Sequence, residues 1–303
     1  MASDEFVTVQ APATTANLGP GYDCLGIALG LYNTVTLKMA DRPLVEIEGI
    51  GADELPKDET NLIYQSVQAL ADRVGMPGAW HIRQHNSIPL ASGMGSSSAA
   101  IVAGLKVAEA ALDISLPDDE MLEMAVELEG HPDNVAPALL GGFTVCYEKA
   151  DGGHGVVGLE VPDRLQAVVV TPDFTVDTQA ARKVLPDELP HEDAVYNVCQ
   201  SSALVAMLVS RQYDDLAAAM RDRLHQPYRA QLVPGMEEII AVAVEAGAHG
   251  AALSGSGPSI LALADEYATS AVETAMLEAA DESTGAVWEG RILTLDNAGA
   301  KVC

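Results

Sequence analysis

The sequence predicts a two-domain α+β protein, and three observations carry that expectation. At 303 residues the chain exceeds what one small core organises. Strand-like and helix-like patterns are mixed through both halves rather than segregated. A glycine-rich acidic stretch, "EKADGGHGVVG", interrupts them near the middle, which places a boundary at 160/161, with residues 1–160 and 161–303 as the two domains.

In the first half, residues 5–10, 32–40 and 44–50 read as strands. "YNTVTLKMA" and "VEIEGI" alternate in polarity as half-buried strands do. Asn61–Val74 has helical periodicity behind Thr60, a suitable N-cap. Trp80–Ile88 reads as extended. Ser96–Leu112 is Ala-rich and almost free of charge, so it predicts a deeply buried helix. Pro117–Glu129 predicts an amphipathic helix, and Asp118, Asp119 and Glu120 suit the positive end of its dipole. Phe143–Tyr147 is a strand, and the glycine-rich stretch behind it a loop. In the second half "LQAVVVTPD" is an apolar strand ending in a turn. Helices are expected near 177–185, 191–211, 213–223, 234–246 and 266–281. "GAALSG", "SILALAD" and residues 287–295 read as strands.

Composition narrows the function. Apolar residues make up 49% of the chain, ample for two cores. There are 44 Asp+Glu against 16 Lys+Arg, a net charge of −28. The acids are scattered through periodic segments, which describes solvated helix faces rather than a disordered tail. Self-repulsion of that size is best tolerated where salt screens it, so a halophilic, high-salt cytoplasm is expected. Nucleic acid and acidic membranes are poor partners for this surface. "MASDEFVTVQ" lacks the charged and apolar regions of a secretory signal, and no uncharged apolar run reaches membrane-spanning length. Cys24, Cys146, Cys199 and Cys303 are too widely spaced for a Cys-x-x-Cys metal site and suggest no disulfide framework. A soluble cytoplasmic protein is expected.

The chemistry concentrates at "IPLASGMGSSSAAIVAGL", residues 88–105. Here a strand end turns into the buried helix through Gly93, Gly95 and three consecutive serines, Ser96–Ser98. Glycines let backbone wrap closely around a ligand. The helix start offers unpaired N–H groups and partial positive charge, and the hydroxyls add further ligands. The combination suits a polyphosphate, although a tight turn with an ordinary Ser N-cap would use the same residues. No Gly-Lys-Ser/Thr follows, and the dinucleotide fingerprint lacks its third glycine.

Two further stretches decide between these readings: "PATTANLGPGYDCLG", Pro12–Gly26, and "LSGSGPS", Leu253–Ser259. Three glycine-rich segments in this order resemble the motifs of the GHMP kinase superfamily, which phosphorylates small metabolites with ATP. Within it, Pro12–Gly26 and "LEGHPDNVAPALLGG" resemble the homoserine kinases. Mevalonate kinases carry an aspartate base at the position of Ala136, whereas here Asp133 and Asn134 stand where that family has Ser and Gly.

The resemblance implies an N-terminal domain like ribosomal protein S5 domain 2, a ferredoxin-like C-terminal domain, and an active site between them. It implies ATP and Mg²⁺, with L-homoserine as substrate and a homodimer as the assembly. Pro89, Leu90, Ala91, Ser92, Gly93, Met94, Gly95, Ser96, Ser97, Ser98 and Ala99 would wrap the phosphates, and Asn61 would contact adenine. Ser97 or Ser98 would hold Mg²⁺ with Glu129, Glu127 being the alternative carboxylate. Arg182 and Arg229 would bind the homoserine carboxylate and Asp23 its ammonium. Asn17 and Asn134 would orient the hydroxyl, while His131, Asp133, Thr178 and Gly257 would line the pocket. With no base at Ala136, direct in-line attack by the hydroxyl on the γ-phosphate is expected. The alternatives are another small-molecule kinase of the superfamily or a non-catalytic metabolite sensor of the same fold.

Overall fold

The computed structural model describes residues 5–303; the first four residues, part of the stretch read for a secretory signal, lie outside the described residues. Seven strands form one mixed sheet and four form a second.

The first sheet is built on two long strands, β1 (Val7–Asn17) and β2 (Gly21–Ala40). They run antiparallel from Val7↔Leu37 to Asn17↔Gly21, with register shifts at Pro12/Ala13 and Ala16/Asn17. The glycine-rich motif expected at Pro12–Gly26 is therefore the tip of this hairpin. Its turn is made by left-handed residues, Asn17, Leu18 and Gly19. Past the tip, β2 pairs first with β5 (Phe143–Glu148) and then with β4 (Ala79–Asn86), which is flanked in parallel by β3 (Leu44–Gly49). The stretch expected as a glycine-rich loop instead returns as β6 (His154–Leu159) on β5, because glycines in an edge strand leave the backbone ladder intact.

Helices α1 (Leu62–Arg73), α2 (Ser96–Ala111), α3 (Asp118–Glu129) and α4 (Pro132–Leu140) pack with this sheet. α2 is buried from Ser98 onward on most sides. That explains its near-absence of charge: the charged residues it carries, Lys106 and Glu109, are paired with each other at 2.5 Å. The cap of α1 is Asn61, not Thr60; its Oδ1 accepts the Ile63 and Tyr64 N–H groups. Thr60 bonds to Asp58 instead.

The second sheet has the order β10–β7–β9–β8, antiparallel throughout, from β7 (Leu165–Pro172), β8 (Gly250–Leu253), β9 (Ile260–Asp265) and β10 (Trp288–Thr294). Numbered from β7, that is the 4-1-3-2 order of a ferredoxin-like domain. Leu165, Ala167 and Val169 of β7 join the core of the first half, while Val168 and Val170 join a second core under α9 (Met236–Glu245) and α10 (Thr269–Thr284). With both faces of β7 buried, its centre, residues 167–170, is a continuous apolar run rather than an alternation.

Between β7 and β8 lie α5 (Thr178–Lys183), α6 (His191–Ser210), α7 (Leu216–Ala219) and α8 (Gln226–Arg229). The helix expected over 213–223 is thus only one turn long, closed by Met220 as its C-cap; Asp222 then turns the chain into α8, accepting the N–H groups of Leu224, His225 and Gln226. The helix expected at 266–281 runs three residues later at each end. Against the division at 160/161, the C-terminus crosses back: β11 (Lys301–Val302) pairs with Val9 and Gln10 at the edge of the first sheet. All four cysteines are free. Among the described residues, no helix is long and apolar enough to cross a membrane.

Candidate active site

A cavity of about 410 Å³ opens between the two halves, where the three glycine-rich segments converge. Their backbones are tied together. The Gly255 N–H donates to Ala16 O, Ser259 N–H to Ser92 O, and Ser254 Oγ to Gly93 O at 2.7 Å. This close approach explains the glycines. A Cβ on Gly93 would lie 2.1 Å from Ser254 O, and one on Gly95 would lie 1.9 Å from Thr14 Oγ1. Both also have left-handed φ, +82° and +65°, where a side chain is strained.

One end of the cavity is an anion cradle. Gly95 is the N-cap of α2 and no side chain caps the helix, so its first-turn N–H groups remain available to a ligand. Leu90–Gly93 and Gly95–Ser97 line this end, with an apolar recess formed by Leu55, Pro56, Leu62, Ile63 and Ala100. Asn61 also lines the cavity, but its side chain is committed: Oδ1 caps α1, and Nδ2 donates to Pro56 O and Gln84 Oε1. Ser97 Oγ (2.6 Å) and Ser98 Oγ (2.7 Å) both donate to Glu129 Oε1. Ser97 is exposed and Ser98 fully buried. Glu129 lines the cavity and Glu127 does not. Among the described residues no group of three or more His, Cys, Asp or Glu side chains could hold a metal ion. The hard oxygens of Glu129 and Ser97 do fit Mg²⁺, which takes few protein ligands and completes its shell with phosphate and water.

The other end is a pocket of paired charges. Arg182, on α5, grips Asp23 through two bonds, Nη1–Oδ2 at 2.9 Å and Nη2–Oδ1 at 2.8 Å, and Nη1 also donates to Tyr22 Oη. The Asp23 bonds hold the Arg182 guanidinium above its usual range. Arg229 is 2% exposed, yet reaches the cavity. Its Nε donates to Ala181 O, and its Nη1 to Gly255 O and to His225 Nδ1. Among the described residues its Nη2 has no partner. Burial pulls Arg229 below its usual range, though it remains a cation.

His225 is fully buried, with Nε2 at 2.7 Å from Gly19 O. Because Nδ1 accepts from Arg229, the proton sits on Nε2 and the ring is neutral. Burial and the Arg229 charge depress its basicity despite nearby Asp222. The Tyr22 ring lies under both guanidinium groups, 5.6 Å from Arg182 and 5.3 Å from Arg229; burial raises its hydroxyl above the usual range.

Between the two ends, α3, its Gly130 cap and α4 deliver Glu129, His131, Asp133 and Asn134. His131 Nδ1 is 2.7 Å from Asp133 Oδ1, and its Nε2 is 3.9 Å from Glu129 Oε1. Burial opposes the charged imidazole, but the Asp133 bond and the Asp133, Glu129 and Asp23 charges outweigh it and raise the His131 pKa. Thr14 Oγ1 donates to Asn134 Oδ1 at 2.8 Å, fixing a side chain that lines the cavity. Asn17 Nδ2 donates to Gly255 O, while its Oδ1 accepts the Asp23 N–H. Thr178 Oγ1 lies 3.4 Å from Ser256 Oγ.

Asn17, Asp23, His131, Asp133, Asn134, Thr178, Arg182 and Arg229 therefore meet in one cavity with the phosphate loop. Pro89, Met94, Ser98, Ala99 and Gly257 do not line it. Met94, Ser98 and Ala99 are buried in the core. Gly257 faces Leu253 and Val233, and Gly255 lines the cavity instead. Sequence reasoning missed Thr14, Tyr22 and His225 as contributors; the first two lie inside the N-terminal motif, whereas nothing local marks His225.

A two-sheet fold closed on such a glycine-rich cleft is that of the GHMP kinases. Residues 61–142 match the model of the GHMP kinases N terminal domain, and residues 203–282 that of GHMP kinases C terminal. Homoserine kinase of Desulfitobacterium hafniense is 42% identical over 298 residues, covering 98% of this chain and 100% of that protein. Homoserine kinase of Carboxydothermus hydrogenoformans is 46% identical over 263 residues, 86% of each. The crystal structure of homoserine kinase from Cytophaga hutchinsonii superimposes with a TM-score of 0.90 at 33% identity, covering 100% of this chain and 99% of the other. The chain belongs to the homoserine kinase family.

Proposed function

We propose that this enzyme transfers the γ-phosphoryl group of ATP to the δ-hydroxyl of L-homoserine, giving O-phospho-L-homoserine, a step toward threonine. One observation carries the reading: the Asp23–Arg182 pair and the unpartnered Nη2 of Arg229 sit in the same cavity as the uncapped N-terminus of α2. A zwitterionic amino acid finds both complementary charges side by side. Its ammonium exchanges onto Asp23 and its carboxylate onto Arg182 and Arg229, where planar guanidinium groups suit a two-oxygen acceptor.

The phosphates lie along Leu90–Ser97, held by loop and first-turn N–H groups. The apolar recess beside α1 takes the adenine. Asn61 contributes there by capping α1 and fixing the Leu55–Ile63 wall, since its own polar atoms are used. Asn17 and Asn134 orient the homoserine hydroxyl, with Asn134 held by Thr14. Glu129 and Ser97 would hold Mg²⁺, which would supply charge stabilisation for the phosphoryl group in transfer. No carboxylate replaces the aspartate base at Ala136. The loose transition state of phosphoryl transfer demands little early deprotonation, so positioning and charge stabilisation carry the rate. The hydroxyl attacks in line, and its proton leaves late, to phosphate or solvent.

Residues 1–160 then act as the ATP-binding half, and residues 161–303 supply Arg182, Arg229 and Gly255. We also propose a cytoplasmic enzyme adapted to high salt, on the strength of its net charge of −28, and a homodimer, as the family resemblance implies.

The test is coupled ADP release in concentrated KCl with Mg-ATP and a panel of L-homoserine, L-serine, L-threonine, mevalonate and galactose. Homoserine should be the preferred acceptor. Turnover of mevalonate without homoserine overturns the reading, and ATP binding without turnover of any acceptor favours a sensor.

A further inference from the structure

α6 is 20 residues long but buries only Asn197, Leu204 and Leu208. Residues 194–210 of this helix contain no charged side chain, in a chain with 60 of them (44 acidic and 16 basic). Its outer surface is nevertheless open to solvent. Val195, Val198 and Val209 are 48%, 65% and 56% exposed, and Cys199, Ser202 and Ala206 are exposed between them. Steps of three and four place these residues on one helix face. A solvated face of an acidic protein would ordinarily carry carboxylates, as the first turn of this same helix does with Glu192 and Asp193.

The stripe is also symmetric. Counted from Ser202, Val195 and Val209 stand seven residues to either side, and Val198 and Ala206 stand four. An antiparallel copy crossing at Ser202 sets valine against valine and Val198 against the small Ala206, so the helices can approach closely. The same register brings the acidic first turn, where Glu192 is exposed and Asp193 pairs with Arg223 of its own chain, opposite Arg211, which is exposed at the C-cap. The ends are complementary in charge and the middle has none.

We infer that the uncharged outer stripe of α6 is the two-fold interface of a homodimer, with α6 packed antiparallel on α6 of a second copy about Ser202. This rests on the homodimer proposed above and specifies its surface. The occupant is a second copy because the pattern is self-complementary, as an isologous contact requires. Two chains of charge −28 also repel least where they meet through a neutral face. From Val195 to Val209 the stripe spans ~21 Å. One helix pair of that length is a small interface, so the dimer should dissociate on dilution. KCl should strengthen it by screening the remaining charge.

The experiment is cysteine crosslinking with a parallel mass measurement. In a Cys199→Ser, Cys303→Ser background, Ser202→Cys should give a disulfide-linked species of twice the 31.6 kDa chain mass under mild oxidation. Ser270→Cys, exposed on α10, should not. By light scattering in concentrated KCl, the parent should be dimeric and Val198→Glu monomeric at the same concentration. Melting temperature and homoserine turnover should be unchanged in that variant, since Val198 lies outside the cavity. A monomeric parent, a dimeric Val198→Glu, or equal crosslinking at 202 and 270 overturns the interface. Sedimentation of the parent with neutral phosphatidylcholine vesicles, lost in Val198→Glu, would overturn it in favour of a lipid surface. Turnover assayed on the same samples keeps these outcomes separate from the kinase assignment.

Discussion

Arg229→Lys isolates the carboxylate clamp. The wild-type guanidinium is fixed by three protein acceptors, Ala181 O, Gly255 O and His225 Nδ1, through Nε and Nη1, which leaves Nη2 to bind the ligand. Lysine keeps the charge but puts its donors on one nitrogen, which cannot serve three diverging acceptors and the ligand together. Losing one charge-assisted bond to the carboxylate is worth roughly 1.5–3 kcal/mol. At 1.4 kcal/mol per factor of ten, homoserine affinity should fall about 10- to 140-fold. ATP affinity should change little, because the α2 cradle is untouched. Buried acceptors left without a donor cost about 1–3 kcal/mol each, so the variant should also melt earlier. Calorimetric titration with homoserine and, separately, with a non-hydrolysable ATP analogue reads the two affinities, on samples first shown folded by circular dichroism. Unchanged homoserine affinity in a folded variant would refute the clamp, and an equal loss for both ligands would mean general damage to the cleft.

Glu129→Gln keeps the acceptor for Ser97 and Ser98 but removes the charge, and should lose more than ~10²-fold in kcat, whereas Asp133→Asn and His131→Gln should each lose less than ~10² if neither is a general base; kcat against pH for the three variants decides, and loss of the acidic limb in either of the latter two would identify a base. Gly95→Ala should abolish detectable turnover, because the new Cβ would lie 1.9 Å from Thr14 Oγ1 at a left-handed φ; activity near wild type would remove the cradle from the mechanism. Stability should respond to pH in opposite senses at two histidines. His225 is depressed by burial, so the unfolded chain binds its proton first and stability falls as pH drops through the ordinary histidine value of 6.5. His131 is raised, burial being outweighed by the Asp133 bond together with the Asp133, Glu129 and Asp23 charges, so its contribution is full below pH 6.5 and lost as pH rises past its elevated value. Denaturant titrations of His225→Gln and His131→Gln across this range should remove the acid and alkaline slopes respectively. The melting temperature should climb with KCl through the molar range as self-repulsion is screened; a flat profile contradicts salt adaptation.

Local pattern alone determined the elements whose neighbours are interchangeable. The buried α2 was legible because a helix enclosed on most sides admits charge only where it is paired, as Lys106 and Glu109 are. The core of the second sheet was legible because β7 and β9, buried on both faces, carry the unbroken apolar runs 167–170 and 260–264. The phosphate loop was legible because glycine at Gly93 and Gly95 is a backbone requirement that any sequence must meet. Five things were decided only by tertiary contact. The first half of β2, "GYDCLGIALGL", has no alternation, since β1, β5 and α4 cover it together. α4 sits within a motif whose two prolines obscure its helical pattern, and β6 and β11 exist only because an edge was there to pair with. Asn61 rather than Thr60 caps α1 because Pro56 O and Gln84, one of them 23 residues away, orient its amide. Most consequential is the wall behind the clamp. His225 lies 206 residues from Gly19, and Arg229 lies 48 from Ala181. Residue type can say that a buried arginine needs acceptors, but only the closure of the two halves decides which carbonyl and which ring nitrogen supply them.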